Sequence, residues 1–113
     1  MVSSNIERVV RSLMAYEPER IILFGSAARG DADEYSDLDI IIVKNTDARF
    51  VQRLVDVTAF LPLDLAIDVF VYTPEELEAM AEEGNPFIEQ ALKEGKIVYE
   101  KAPGNGPALA GPG

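Results

Sequence analysis

Gly25-Ser26 is followed, eleven residues after the serine, by Asp37-Leu38-Asp39 at the mouth of the apolar, β-branched run Leu38 to Val43. Side chains alternate along a strand, so the two carboxylates point to one face, about 6–7 Å apart along the backbone. Converging carboxylates repel and one tends to take up a proton, whereas a divalent cation between them relieves the repulsion and keeps both ionised. A third aspartate, Asp68, interrupts another largely apolar run, Leu65 to Tyr72. Flanked by Ile67 and Val69, it is costly inside a strand unless it is paired, hydrogen-bonded or bound to a metal. The pattern asks for a hard cation.

Each piece also has an ordinary structural reading. Aspartates at i, i+2 near a strand start are often solvated turn residues, and a glycine after a strand commonly does no more than end it. The combination Gly-Ser, Asp-x-Asp and a mid-strand Asp is harder to assemble from unrelated structural roles. Asp64 stands at the opening of the third run, where a solvated or capping carboxylate is ordinary, and ranks below Asp68.

Composition narrows the chemistry further. With no His and no Cys among 113 residues, a Ser-His-Asp triad, a thiol nucleophile and the usual zinc sites are excluded, and any metal is a hard one bound through oxygen. The 20 acidic residues against 10 basic ones give a net charge of −10, which repels the phosphate backbone of extended DNA or RNA but suits a basic protein or an anion bound through metal. No stretch approaches the roughly 20 apolar residues of a membrane span, and the first residues lack the basic and apolar pattern of an export signal. A cytoplasmic location is the expectation.

These side chains need strands and helices to position them. Ile6, Val9, Val10, Leu13 and Met14 recur at helical spacing, and Ser4 with Glu7 makes a capping-box pattern, so the chain opens on an amphipathic helix that Pro18 stops. Ile21 to Phe24 reads as a strand covered on both faces, and Leu38 to Val43 as the second strand. Residues 47–61 place Phe50, Val51, Leu54, Val57 or Thr58, and Leu61 on one helical face, with Thr46 or Asp47 as the cap. Leu65 to Tyr72 is the third strand. Thr73-Pro74-Glu75-Glu76 opens a helix over 74–83, Asn85-Pro86 opens another to Glu94, and Ile97 to Tyr99 is a short last strand. The acidic run Glu75 to Glu83 reads as a solvated helix face. The result is an α/β domain, residues 1–101, with a small sheet of three main strands whose third member could run either way.

Phe24-Gly25-Ser26-Ala27-Ala28-Arg29-Gly30 together with Ser36-Asp37-Leu38-Asp39-Ile40 resembles the signature of the nucleotidyltransferase superfamily that includes DNA polymerase beta and kanamycin nucleotidyltransferase. The small bacterial form, the minimal nucleotidyltransferase or MNT domain, is similar over residues 4 to about 100, including Asp68-Val69, Thr73 to Glu76 and Gly95 to Glu100. The resemblance implies a nucleotidyltransferase fold with a mixed sheet. It implies that Gly25 lets the backbone approach a triphosphate and that Ser26 bonds a phosphate oxygen. Asp37 and Asp39 would hold both metals, Mg2+ or Mn2+, and Asp68 the metal beside the acceptor hydroxyl, acting also as general base. Arg29 either neutralises phosphate charge or pairs with Asp31 or Asp33. Ser36 bonds local backbone and so orients Asp37.

Two functions follow from the resemblance. One is transfer of a nucleoside monophosphate, AMP first, from ATP or another NTP to a hydroxyl acceptor on a partner protein. The other is an antitoxin of a toxin–antitoxin pair that neutralises a helical HEPN-like partner by binding it. A chain of this size needs a partner, or a second copy of itself, to specify an acceptor. From Ala102 to Gly113, seven of twelve residues are Gly or Pro and Leu109 alone is bulky, so this segment is expected to be a disordered tail. Deleting residues 102–113 should therefore leave melting temperature and nucleotide affinity unchanged, and a loss of several degrees would show that the segment packs.

Overall fold

The computed structural model describes residues 4–25 and 38–101. Helix α1 (Ser4–Leu13) runs into one 3-10 turn (Met14–Tyr16), and Glu17, at φ 60°, turns the chain into Pro18 and strand β1 (Arg20–Phe24). Strand β2 (Leu38–Val43), helix α2 (Phe50–Thr58) and strand β3 (Ile67–Tyr72) follow. Two helices, α3 (Pro74–Glu82) and α4 (Pro86–Glu94), lead to strand β4 (Lys96–Glu100).

The four strands form one sheet in the order β3-β2-β1-β4. Strands β1 and β2 are antiparallel, with Phe24 opposite Asp39, and β4 runs antiparallel to β1 on its other side. Strands β2 and β3 are parallel, with Leu38 opposite Ile67 and Asp39 opposite Asp68. That direction, open at the level of sequence, is set by α2, whose crossover returns the chain to the end of the sheet at which β2 began. The mixed sheet thus has a fourth full strand where the sequence reading put three main strands and a short last one. Lys96 and Glu100 are charged, which hides that strand's contribution from a reading based on apolar runs.

Alternation divides the sheet cleanly. Ile21, Leu23, Leu38, Ile40, Ile42 and Val71 pack with Ile6, Val9 and Leu13 of α1 and Val57 of α2 on one face. Ile22, Ile41 and Val43 pack with Leu77 of α3 and Ile88 and Ala91 of α4 on the other. Strand β2 is central and buried on both faces, which is why four consecutive β-branched residues suit it. Gly95 closes α4 in a gap where a Cβ would meet the Ala91 carbonyl and the Ile22 side chain, so glycine permits the tight entry into β4.

Two expectations for α2 are corrected. Val51 is 70 % exposed, and the inward place on that turn belongs to Arg53, which is 6 % exposed. Neither Thr46 nor Asp47 caps the helix, because it starts at Phe50 with Arg49 as N-cap, while Thr46 Oγ1 accepts the Ala48 N–H in the preceding turn (3.1 Å). Arg53 Nε donates to the Ala48 carbonyl (2.8 Å), Nη1 to the Val71 carbonyl (3.2 Å), and Nη1 and Nη2 grip the two Glu76 oxygens at 2.6 and 3.0 Å. Glu76 also accepts the Thr73 N–H (2.9 Å) while Thr73 Oγ1 accepts the Glu76 N–H (3.1 Å). The capping box at the start of α3 is therefore shared with a guanidinium from α2, which ties both helices to β3. Glu76 thereby departs from the solvated acidic face expected of 75–83.

Replacing Arg53 with Ala should cost about 2–3 kcal/mol in urea unfolding, because the guanidinium's partners lose their donors and Glu76 its ion pair. The hydrogen bonds from Arg53 hold the Glu76 carboxyl below its ordinary range, with burial acting in the opposite sense. A depressed folded pKa stabilises the protein above the unfolded carboxyl value of about 4.5 and loses that contribution as pH falls through the folded value. The stability difference between wild type and Glu76→Gln should accordingly be full at pH 7 and shrink below about pH 4.5.

Candidate functional site

At the end of the sheet where β1 stops and β2 and β3 start, Phe24, Asp39 and Asp68 stand side by side in register. All three lie on the face that α3 and α4 cover, since Ile22, Ile41 and Phe70, two residues away from them, belong to that core. Neighbouring strands are about 4.8 Å apart, which brings two carboxylates together on one face. Asp39 is half-buried and Asp68 exposed. The exposure of Asp68 corrects the expectation of a carboxylate buried at cost: it is the second residue of an edge strand, open to water, and its significance rests on its register with Asp39.

Gly25 ends β1 in the left-handed region, φ 74°. A Cβ there would overlap the Asp39 carboxylate, with Oδ2 the nearest atom. The glycine is thus required twice, by its backbone conformation and by the carboxylate packed against it. Beyond it, an aromatic wall borders the acidic pair. Phe87, at the start of α4, meets Phe24 edge-on (5.4 Å, 84°) and Phe70 at 66° (5.4 Å), bridging β1 and β3 over the sheet. The wall escaped sequence reasoning, which took Phe87 only as part of a helix start; its trace was the Asn85-Pro86 cap, which fixes where the next ring emerges, and Asn85 Oδ1 does accept the Phe87 and Ile88 N–H groups at 3.0 and 3.2 Å.

Of the six residues expected at the site, Gly25, Asp39 and Asp68 are brought together. Ser26, Arg29 and Asp37 lie outside the described residues, as do Ser36 and the segment 102–113. Asp64 is elsewhere: it pairs with Arg8 of α1 at 2.7 Å, both groups largely exposed. That hydrogen bond holds the Asp64 carboxyl below its ordinary range.

Residues 7–103 match the family model described as "Polymerase beta, Nucleotidyltransferase". The chain belongs to this family. This nucleotidyltransferase is 35 % identical over 81 residues to "Putative protein adenylyltransferase MJ0604" of Methanocaldococcus jannaschii, covering 72 % of this chain and 78 % of that one. It is also 35 % identical over 85 residues to "Putative protein adenylyltransferase MJ1305" of the same organism, covering 72 % of this chain and 58 % of that one. In fold it resembles a crystal structure titled a putative nucleotidyltransferase from Sulfolobus solfataricus, at TM-score 0.52 and 22 % identity, with 88 % of this chain and 89 % of that one covered. A structure titled "the toxin-antitoxin with AMP-PNP" aligns at TM-score 0.50 and 19 % identity, covering 84 % and 73 %.

In this nucleotidyltransferase, Gly25→Ala should lower unfolding free energy by at least about 1–2 kcal/mol, the strain of a left-handed alanine, with the overlap on Asp39 added to it. In an Asp39→Ala background the added part should vanish. Equal costs in the two backgrounds, measured by a double-mutant cycle in urea, would mean that Gly25 and Asp39 do not press on one another.

Proposed function

We propose that this nucleotidyltransferase moves a nucleoside monophosphate, AMP first, from an NTP to a hydroxyl on a partner protein. The observation that carries the reading is the register of Asp39 with Asp68 beside the bare α-carbon of Gly25. Two like charges in cross-strand register repel, and oxygen donors of this kind suit a hard divalent cation, so the described residues fit magnesium or manganese. Asp39 and Asp68 would hold it together with Asp37. When bound, such ions stabilise the attacking and leaving oxygens of an in-line displacement.

The chain's own residues divide the work. Gly25 gives the triphosphate room, Ser26 donates to a phosphate oxygen and Arg29 offsets phosphate charge. Asp68 accepts the acceptor's hydroxyl proton while that oxygen bonds to the α-phosphorus, the bond to the β-phosphate breaks and pyrophosphate leaves. Positioning and charge supply most of the rate. Its exposure on an edge strand supports Asp68 in this role, since an incoming acceptor reaches it without rearrangement of the core. The names of the Methanocaldococcus jannaschii relatives support a protein acceptor, and the net charge of −10 favours a basic protein surface over extended nucleic acid. No helix among the described residues is long and apolar enough to cross a membrane, and we place the protein in the cytoplasm. The fold likeness to a toxin–antitoxin chain supports a second reading, an antitoxin that restrains a helical HEPN-like partner by binding alone.

Label transfer from α-labelled ATP to a co-purified partner separates the readings. Wild type and Asp64→Asn should label the partner equally, whereas Asp68→Asn should lose transfer by about a hundredfold or more while binding ATP nearly as well, because it acts on the transition state more than on the ground state. Undiminished labelling by Asp68→Asn would defeat the catalytic assignment. Tight partner binding with no labelling by wild type would favour the antitoxin.

A further inference from the structure

Beside Gly25 the surface sinks into a hollow of about 170 Å3 lined by Phe24, Gly25, Phe87, Gln90, Ala91 and Glu94. It exists because two of its walls, a glycine and an alanine, have little or no side chain. Phe87, Gln90, Ala91 and Glu94 follow one another at i, i+3, i+4 and i+7, so one face of α4 supplies an aromatic ring, a small floor and two polar groups in line. Amphipathic spacing alone would account for Ala91, which is buried, but Phe87 remains 40 % exposed although its ring is braced edge-on by Phe24 and Phe70. A braced, exposed ring is a stacking platform that orders little on binding.

Volume decides what fits. Sites that enclose a whole small molecule hold roughly 300–1,000 Å3, so this hollow takes a single ring system and leaves the rest of its ligand outside. Gly25 is common to both: it lines the hollow, and the Asp39 carboxylate packs against it. The rim selects further. Gln90 Nε2 donates to Glu94 Oε2 at 3.4 Å, so an amide and a carboxyl group stand together on the rim. We propose that the hollow receives the base of the nucleotide, stacked on Phe87, and that Gln90 and Glu94 favour a base carrying an exocyclic amino group, with two hydrogens to donate, over uracil, whose one edge N–H stands between two carbonyl oxygens that a carboxylate repels. This rests on the nucleotide reading above and adds to it the element that selects the base.

Titration calorimetry with ATP, UTP and inorganic tripolyphosphate, each with magnesium, tests the assignment. Wild type should bind ATP about tenfold or more tightly than tripolyphosphate, the size of one base–aromatic stack, and should prefer ATP to UTP. Phe87→Ala should bring ATP down to the level of tripolyphosphate and leave tripolyphosphate affinity where it was, while Phe87→Tyr keeps the wild-type order. Should the alanine variant not fold, Phe87→Leu keeps the apolar contact without the π face and gives the same readings. Glu94→Gln should narrow the preference for ATP over UTP and spare tripolyphosphate. Unchanged ATP affinity in Phe87→Ala or Phe87→Leu, or equal affinity of wild type for ATP and tripolyphosphate, overturns the base subsite and leaves the triphosphate reading standing. Binding of none of the three by wild type overturns both.

Discussion

A slip of one residue in the pairing of β2 with its neighbours would carry Asp39 to the opposite face of the sheet and put it among α1 and α2. The rest of the molecule depends on that register. It is held because β2 is central, with β1 antiparallel on one side and β3 parallel on the other, and because both of its faces are buried. Ile40 and Ile42 fill one core and Ile41 and Val43 the other, so no shifted pairing satisfies either. The strand's apolar interior thus fixes where its polar first turn must sit, and stability and chemistry share one constraint.

The acidic pair stands where the core ends. Asp39 and Asp68 are level with the last residue of β1, one step outward from Ile41 and Phe70, so packing sets their separation while water still reaches Asp68. Gly25 sharpens the arrangement, because a carboxylate pressed against an α-carbon has fewer places to go than one in open solvent. The surroundings bring the two carboxylates together, through a strand register and a missing side chain.

Away from the site, the Arg53–Glu76 pair does for the helices what register does for the strands. One guanidinium links the turn before α2, the β3 backbone and the first turn of α3. Thr73 follows β3 directly, so the clamp settles the direction in which the chain leaves the strand that carries Asp68. Helix α4 then brings Phe87 back over the sheet to meet Phe24 and Phe70. The aromatic wall beside the carboxylates is in this sense a product of the second crossing.

Local physics was enough for much of this. Periodicity, the Thr73 and Asn85 caps and the prolines after them place four helices and four strands within a few residues, because those signals act over one turn or one pleat. The family signature likewise needs only neighbours in sequence: Gly25-Ser26 and Asp37-x-Asp39 are each a single local device. What periodicity could not decide was everything that depends on which segments meet. It assigned Val51 to the core where Arg53 goes, because a buried arginine is recognisable only once Glu76, distant in sequence, and the Ala48 and Val71 carbonyls converge on it. It gave Asp68 the wrong environment, since an edge strand and a central one read alike until the strand order is known. The parallel run of β3, the alignment of Asp68 with Asp39, the carboxylate against Gly25 and the ring of Phe87 beside them were decided by tertiary structure alone, because each is a contact between residues whose own neighbours carry no record of it.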